Sequence, residues 1–587
     1  MKLETEEKSR RDHDFRLVPA AVAGWAATLA GLQLGWWVAT LVGAVAVICA
    51  TVLLVRGRTR YVGVGGALLL VGLVAAVPTA LRIHDAAADP LGSAAVHGGT
   101  ATLRVEISER PRPIHQAGYA DQQAGTRSVA IPARVATATV DGRPVESTGR
   151  VLLLAPVAGW SGLLPGQDVT TSGRLMPARG GELTAAVVSV RAAPADVGPA
   201  PWWQRAAAVL RNSLHSLCAI LPEEPAGLLP GLVLGDTSAL PQRVEEEFKA
   251  SGLTHLMAVS GGNLVIIGGA VLLLCRLVRA GPRLSAAAAG SSLAGFLVLV
   301  GPEPSVVRAG VMGGIGLLAL ALGRRGSALP ALAFAVCVLV AWDPTMAGNF
   351  GFALSVLATA GLVLLAPRWA DSLVRRGVPP GYAEGLAVPL AAFVVTAPVI
   401  AGMAGTVSIV SVVTNVLAAP VVAPVTVLGV LATVVGPWWP GAGHLLIQVA
   451  DPEARWLITV ARHGARAPGA ALSWPGGWWG GLCAAVLLVV IVVAARFRRL
   501  RLLVAIGLVV VLLTVVPAKV LAPGWPPDGW AMVECDVGQG DAVVLATAEP
   551  GRAVVVDTGP EPGPVDECLR RLGVDRVPLL VLSHLFF

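Results

Sequence analysis

The chain has 587 residues, of which 55% are hydrophobic and 14% charged, and its net charge is +7. A soluble globular chain carries about 25% charged residues, so this composition excludes a wholly soluble protein. Long apolar runs alternate with short arginine clusters, which is the pattern of transmembrane helices. Arginine supplies nearly all of the positive charge, which admits phosphate binding and, more simply, anchoring of loops on the cytoplasmic side of a membrane. The cysteines (Cys49, Cys218, Cys275, Cys337, Cys483, Cys535 and Cys568) show no CxxC spacing, which argues against a cysteine zinc site and against a disulfide framework. No GxxxxGK[ST] loop is present, so no P-loop ATPase motif is available to power transport.

The first region, residues 1–81, is a charged cytoplasmic tail and three spans. Leu17 to Val55 is long enough for two, Arg56, Arg58 and Arg60 follow, and a third covers about Val62 to Leu81. The tail before Leu17 is charged and more spans follow, so the segment reads as an anchor rather than a cleavable signal. With Arg10 and Arg11 inside, the third span exports residues 82–200. That stretch alternates apolar and polar residues over Ala101–Ile107, Ser128–Val135, Arg150–Leu154, Asp168–Leu175 and Leu183–Val190, with turns at Asp141-Gly142 and Pro165-Gly166. About five short strands make an external oligonucleotide-binding (OB)-like β-barrel the natural candidate, with a generic β-domain as the alternative.

Residues 201–254 read as amphipathic helices at the membrane surface. Trp202 to Leu221 has apolar positions at helical spacing, with Arg205 and Arg211 on the other side, and Pro241 to Ser251 carries Glu245, Glu246, Glu247 and Lys249. A larger membrane region, residues 255–523, follows. Spans are expected near 255–275, 285–301, 306–322, 327–342, 350–367, 383–404, 406–420, 422–436, 477–495 and 502–520, for about thirteen in all. Residues 441–475 read as an amphipathic segment on the outer surface. The arginines at 276–283, 324–325, 368–376 and 496–501 all fall inside by this threading. Pro420 and Pro424 make the 406–436 region a candidate broken or re-entrant segment. The tail, residues 524–587, reads as α/β and lies outside. Its strands are near Ala531–Val533, Ala542–Leu545 and Ala553–Asp557, its helix near Val565–Leu572, and a buried strand runs from Pro578 to Ser583.

The strongest local feature is Gly252-Leu-Thr-His-Leu-Met-Ala-Val-Ser-Gly-Gly-Asn263, which places His255, Ser260 and Asn263 at or inside an apolar span. Polar groups at that depth face a water-filled path or each other, so both a conduit and a satisfied helix contact remain open. Arg308, near the start of its span, has three readings: a phosphate contact, a partner for Asp343, Asp236 or Glu303, or an arginine reaching the interface. Asn349, Ser355 and Asn415 add polar groups to other spans. In the tail, Asp536 and Asp541 flank a Gly-rich turn, and Asp557-Thr-Gly559 follows a strand. His584 ends a hydrophobic strand, but one histidine cannot hold a catalytic zinc, which takes about three protein ligands.

These motifs, in this order, resemble the ComEC family of DNA-internalisation competence proteins. Gly231-Leu-Val-Leu-Gly-Asp236, Gly252-Leu-Thr-His255 with Ser260-Gly261, Pro304-Ser305 with Arg308-Ala309, Gly351 to Ser355, and Asn415 with Pro420 resemble its membrane competence domain. Leu164 to Gly173 resembles the end of its OB-like external domain, and Asp536 to Asp541, Asp557-Thr-Gly559 and Ser583-His584 the start of its metallo-β-lactamase-like domain. The resemblance implies a polytopic α-helical membrane protein with an external OB-like β-barrel and a truncated metallo-β-lactamase-like C-terminal segment. It implies a channel in the bacterial cytoplasmic membrane that passes single-stranded DNA, with an external DNA-delivery protein and a cytoplasmic motor or single-strand-binding proteins as partners. A homo-oligomer is compatible with it. By that analogy Asp236, His255, Ser260, Asn263, Arg308 and Asn415 line the DNA path.

Three departures qualify the analogy. Asn263 stands where many relatives have histidine. The external loop has no cysteine. The family's His-x-His-x-Asp-His signature begins at His584, but Phe586 occupies the second histidine position. Zinc or manganese belongs to full-length relatives, and no cofactor is expected here. A membrane-anchored metallo-hydrolase, a small-solute transporter and a nonfunctional fragment are the competing readings. The expected outcome of incubating the purified chain with DNA and manganese or zinc is no cleavage, and robust cutting would refute it.

Overall fold

The computed structural model describes residues 14–55, 65–66, 77–115, 126–178, 183–322, 327–467, 470–494, 497, 529–537, 541–559 and 562–583. Two apolar helices, α1 (Val18–Leu34) and α2 (Trp36–Val55), come first. The helix Val77–Ala88 then leads to seven strands: β1 (Thr100–Ile107), β2 (Arg112–His115), β3 (Thr126–Val140), β4 (Arg143–Val145), β5 (Arg150–Pro156), β6 (Asp168–Met176) and β7 (Thr184–Val190). Their order is β1-β6-β7-β5-β3, and β3 pairs back to β1, so five strands close a ring. β2 and β4 are appended to β3, and β5–β7 is the one parallel pairing in the sheet. Closure removes the free edges that would otherwise invite further pairing. The two-residue period of a strand sets what is buried: β1 sends Ala101, Leu103, Val105 and Ile107 inward and exposes the residues between. Trp160 fills the interior, fully buried, and its indole donates to the Ala192 carbonyl at 2.9 Å.

The helical body comprises α3 (Trp202–Cys218), α4 (Glu223–Leu234), α5 (Gln242–Ala250), α6 (Gly261–Leu277), α7 (Pro282–Val300), α8 (Pro304–Ala321), α9 (Ala328–Trp342), α10 (Phe350–Leu364), α11 (Pro380–Ala404), α12 (Ser411–Val435), α13 (Pro440–Arg466) and α14 (Gly477–Ala494). Proline starts α7 and α8, where the missing N–H costs nothing. Asn349 caps α10, accepting from Phe352 N at 3.0 Å. Five described helices are long and apolar enough to cross a membrane: Pro282–Val300, Pro304–Ala321, Phe350–Val374, Pro380–Ala404 and Ser411–Val435. Five shorter apolar helices accompany them: Val18–Leu34, Trp36–Val52, Gly261–Leu277, Ala328–Trp342 and Gly477–Ile491. The described residues do not carry a thirteen-span count. The span expected at 62–81 is described only at residues 65–66 and from Val77 onward, and that at 502–520 lies outside the described residues.

The spans expected at 406–420 and 422–436 are one continuous helix, α12, with Pro420 and Pro424 inside it. The amphipathic segment expected on the surface after it is α13, which buries Ile447, Ala450, Ala454, Leu457 and Ala461 and packs along α12. Strands β8 (Thr406–Ser408) and β9 (Ala471–Ser473) pair antiparallel at the base of this hairpin. The chain therefore leaves and re-enters the body at one place, and α11 and α14 pack together with no change in the alternation of helix direction. The 201–254 region is not wholly superficial either. α4 buries Pro225 and every residue from Gly227 to Leu234, because α12 and α13 close over it. Arg462 on α13 fastens the arrangement, donating to Glu224 at 2.7 Å and to Glu247 at 3.0 Å.

The tail is a sheet of order β10 (Met532–Asp536), β11 (Asp541–Ala546), β12 (Arg552–Val556) and β13 (Arg576–Val581), with the helix Pro562–Arg571 against it. Two expectations change here. Cys535 and Cys568 form a disulfide between β10 and that helix, which spacing alone did not suggest because the partners are 33 residues apart. The apolar run of β13, expected to be buried, is exposed at every position, because among the described residues no layer covers it.

Close packing of α4 on α12 depends on Gly429, where an added Cβ would lie 2.2 Å from Val233 Cγ2. Gly429→Val is expected to cost about 1–3 kcal/mol by overpacking. Gly314→Ala, where nothing lies within 4 Å, should leave stability unchanged or slightly higher. Thermal unfolding of the two variants in detergent checks the contrast.

Candidate functional site

The helical body is broken between α5 and α6, where Ser251 to Ser260 forms only the short turn Thr254–Met257. Helix ends leave backbone carbonyls without partners, and in an apolar body no water is at hand to take them. Side chains from the surrounding helices meet this need. Ser408 Oγ donates to the Ala250 carbonyl at 2.9 Å, Thr414 Oγ1 to Ser251 at 2.8 Å and Ser305 Oγ to Val259 at 2.9 Å. Asn263 Nδ2 donates at 3.0 Å to the carbonyl of Leu232 in the last turn of α4.

Most of the expected residues converge on this break. Ser260 immediately precedes α6, and its hydroxyl donates to Asn263 Oδ1 at 3.2 Å. Asn263 is buried and fully engaged, so it is a tie between α4 and α6. His255 is exposed on the short turn and approaches the backbone of Gly252, which lies against Ser411 at the start of α12. Asn415 donates to the Ser411 carbonyl at 2.7 Å, a bond inside its own helix.

Arg308, on α8, is buried. Its Nε donates to Ser355 Oγ on α10 at 2.9 Å, and its Nη1 meets the Met312 thioether at 3.2 Å. None of the three expected acids pairs with it. Asp343 takes Arg150 at 3.0 Å, Glu303 takes Arg112 at 3.4 Å, and Asp236 takes His215 at 3.1 Å.

Asp236 stands apart from Arg308, in a charged junction beneath the β-barrel. Its carboxylate also accepts from Ser238 Oγ at 2.6 Å. The hydrogen bond from His215, aided by Ser238, holds its pKa well below the usual carboxylate range despite burial. Arg211 from α3 donates to the Leu299 carbonyl at 3.0 Å, and Arg110 from the barrel donates to the Val300 carbonyl. Two guanidinium groups thus cap the C-terminus of α7, where cations suit the helix dipole. Burial first, and then the neighbouring Arg110, push the Arg211 pKa down to about 10. Arg150–Asp343 and Arg112–Glu303 complete the seam. α7 is 19 residues long, so Arg283 near its other end is about 25 Å away.

Sequence reading missed Arg110, Ser408 and Thr414, quoted Ser305 only within a family motif, and put Arg211 on the polar face of its helix. Arg211 had a signal: it occupies the stripe Ala207, Arg211, Leu214, Cys218 that α3 buries, rather than the polar face assigned to it. The hydroxyls had none, because their acceptors lie elsewhere in the chain.

In the tail, Asp536 ends β10 opposite Asp541. Asp557, with φ at 59°, accepts from Ser583 N at 2.7 Å and Ser583 Oγ at 2.6 Å. His584 lies outside the described residues. Among the described residues no three His, Cys, Asp or Glu side chains come together to hold a metal ion.

The low pKa of Asp236 means that its contribution to stability is present above the usual carboxylate pKa, about 4, and is lost as pH falls below it. Wild type should therefore melt higher than Asp236→Asn at neutral pH, with the gap closing on acidification below about pH 4. Melting curves across that range check the sign.

Residues 232–500 match a family model described as Competence protein. The chain is 27% identical over 150 residues to ComE operon protein 3 of Bacillus subtilis (strain 168), covering 25% of this chain and 19% of that protein. It is 27% identical over 362 residues to the uncharacterized protein YcaI of Escherichia coli (strain K12), covering 56% and 44%. The chain thus spans less than half the length of each of these relatives. No solved structure matches. Residues 232–500 are therefore a Competence-family domain of the ComEC type.

Proposed function

We propose that the chain is a component of the bacterial cytoplasmic membrane that admits single-stranded DNA during natural transformation. The observation that carries this reading is the convergence of helix ends and polar side chains on one break in the apolar body of a Competence-family domain. Irregular backbone at membrane depth is tolerated where it is enclosed by protein or lines a water-filled cavity. Arg308 is the group on this break with a donor to spare for a polyanion, and His255 and Ser260 belong to the same break. Asn263 and Asn415 support the path structurally, and Asp236 acts at its barrel end.

The cyclic strand order and the parallel β5–β7 pairing support the OB-like reading of the barrel. Such a barrel would receive DNA on the outer side. The arginine-bearing turns at 276–283 and 368–376 lie at the helix ends away from the barrel, which supports a cytoplasmic position for them. The Cys535–Cys568 disulfide supports placing the tail in an oxidising, extracytoplasmic compartment. The Asp536 and Asp557 motifs support the metallo-β-lactamase-like reading of the tail's architecture. A DNA-delivery protein outside and a motor or single-strand-binding proteins inside are the partners this role calls for.

In a transformable host, deletion should abolish transformation while DNA still binds the cell surface. His255→Ala and Arg308→Gln should each lower transformant yield by about tenfold or more, the worth of a lost hydrogen bond, with immunoblots showing normal protein in the membrane. Normal uptake in both variants overturns the site assignment, and uptake in the deletion strain overturns the function.

A further inference from the structure

The N-terminus of α6 and the guanidinium of Arg308 lie against each other. α6 is 17 residues long, and its N-terminal residue Ser260 provides no side-chain cap, because that hydroxyl is turned to Asn263. The first N–H groups of a helix have no partner within it; the Asn263 amide returns to Ser260, while those of Gly261 and Gly262 have no partner among the described residues. Arg308 is 6% exposed, and its Nη2, without a hydrogen bond among the described residues, lies 2.7 Å from where a Cβ on Gly261 would stand. Glycine at that position lets the helix end approach the guanidinium so closely. Ser355 and Met312 engage its Nε and Nη1, which leaves Nη2 as the nitrogen turned to the helix end. Positive helix-end charge and an arginine fork are both binding elements for a two-oxygen anion. A buried cation without a counter-charge is costly, and one bound monoanion balances one guanidinium.

We infer that Gly261, Gly262 and Arg308 form a cradle for a single phosphodiester of a nucleic-acid strand. This rests on the DNA-path reading above and narrows it to one contact. A phosphodiester carries one negative charge and two free oxygens, which suits one guanidinium and the adjacent amides. Bases would pass unread, because no group in the cradle addresses them.

The test uses the full chain in nanodiscs of neutral phosphatidylcholine, with a fluorescent oligothymidylate as probe. Arg308→Gln should weaken binding about tenfold, and Arg308→Lys, which keeps the charge but loses the fork, a few-fold. A methylphosphonate oligothymidylate, uncharged along its backbone, should bind wild type and variants alike. If wild type binds the phosphate probe and both variants bind equally well, the cradle is refuted while the DNA-path reading stands. If wild type does not bind the probe at all, the DNA-path reading itself fails. Should Arg308→Gln fail to fold, Arg308→Lys decides alone, by the same criterion. Phosphatidylglycerol in the nanodisc should leave probe binding unchanged; an Arg308-dependent loss of binding would assign the cradle to a lipid phosphodiester and overturn the nucleic-acid assignment.

Discussion

Everything in the helical body is arranged around unpaired backbone groups that have no water to turn to. An apolar interior tolerates a broken helix only if each freed carbonyl finds a donor. The break from Ser251 to Ser260 satisfies that demand with Ser305, Ser408 and Thr414, drawn from α8, β8 and α12, and Asn263 of α6 does the same for the end of α4. Those bonds explain why separate helices must gather at this place. They also explain why the residues left over, His255 and Arg308, are exceptional: a buried guanidinium in such surroundings is costly unless something compensates it.

The same requirement shapes the seam between the barrel and the helices. The last carbonyls of α7 are taken by Arg110 from one domain and Arg211 from the other. A helix end is thereby shared, and hydrogen bonds and ion pairs join the barrel to the helices. Partly exposed ion pairs contribute little individually, so Arg150–Asp343 and Arg112–Glu303 serve chiefly to orient the barrel. Asp236 sits where this seam meets the end of α4, and through His215 it ties α3 to that end.

The α12–α13 hairpin shows how an error of local reading left a global conclusion intact. Apolar residues around two prolines looked like two short spans, but hydropathy does not say whether a proline ends a helix or is carried within one. α12 carries both. Its return partner is the amphipathic α13, whose apolar face reads as a surface feature until α4 and α12 are seen packed on it. The β8–β9 pairing restores the count of direction changes, so the arginine alternation survives.

Hydropathy, two-residue alternation and the order of short motifs were enough to read a helical membrane protein, a separate β-domain and an α/β tail, and to single out the stretch from Gly252 to Asn263, where the helical body breaks. These are local properties: each depends on which residues adjoin in sequence. Tertiary structure alone decided that Arg308 has no acid partner, that Asn263 is consumed by the Leu232 carbonyl, that Cys535 meets Cys568 and that α4 is enclosed. Each of these depends on which donors, acceptors and apolar surfaces meet across tens or hundreds of residues. A side chain's role in an apolar interior is set by what is left unpaired around it, and that is a property of the assembled fold.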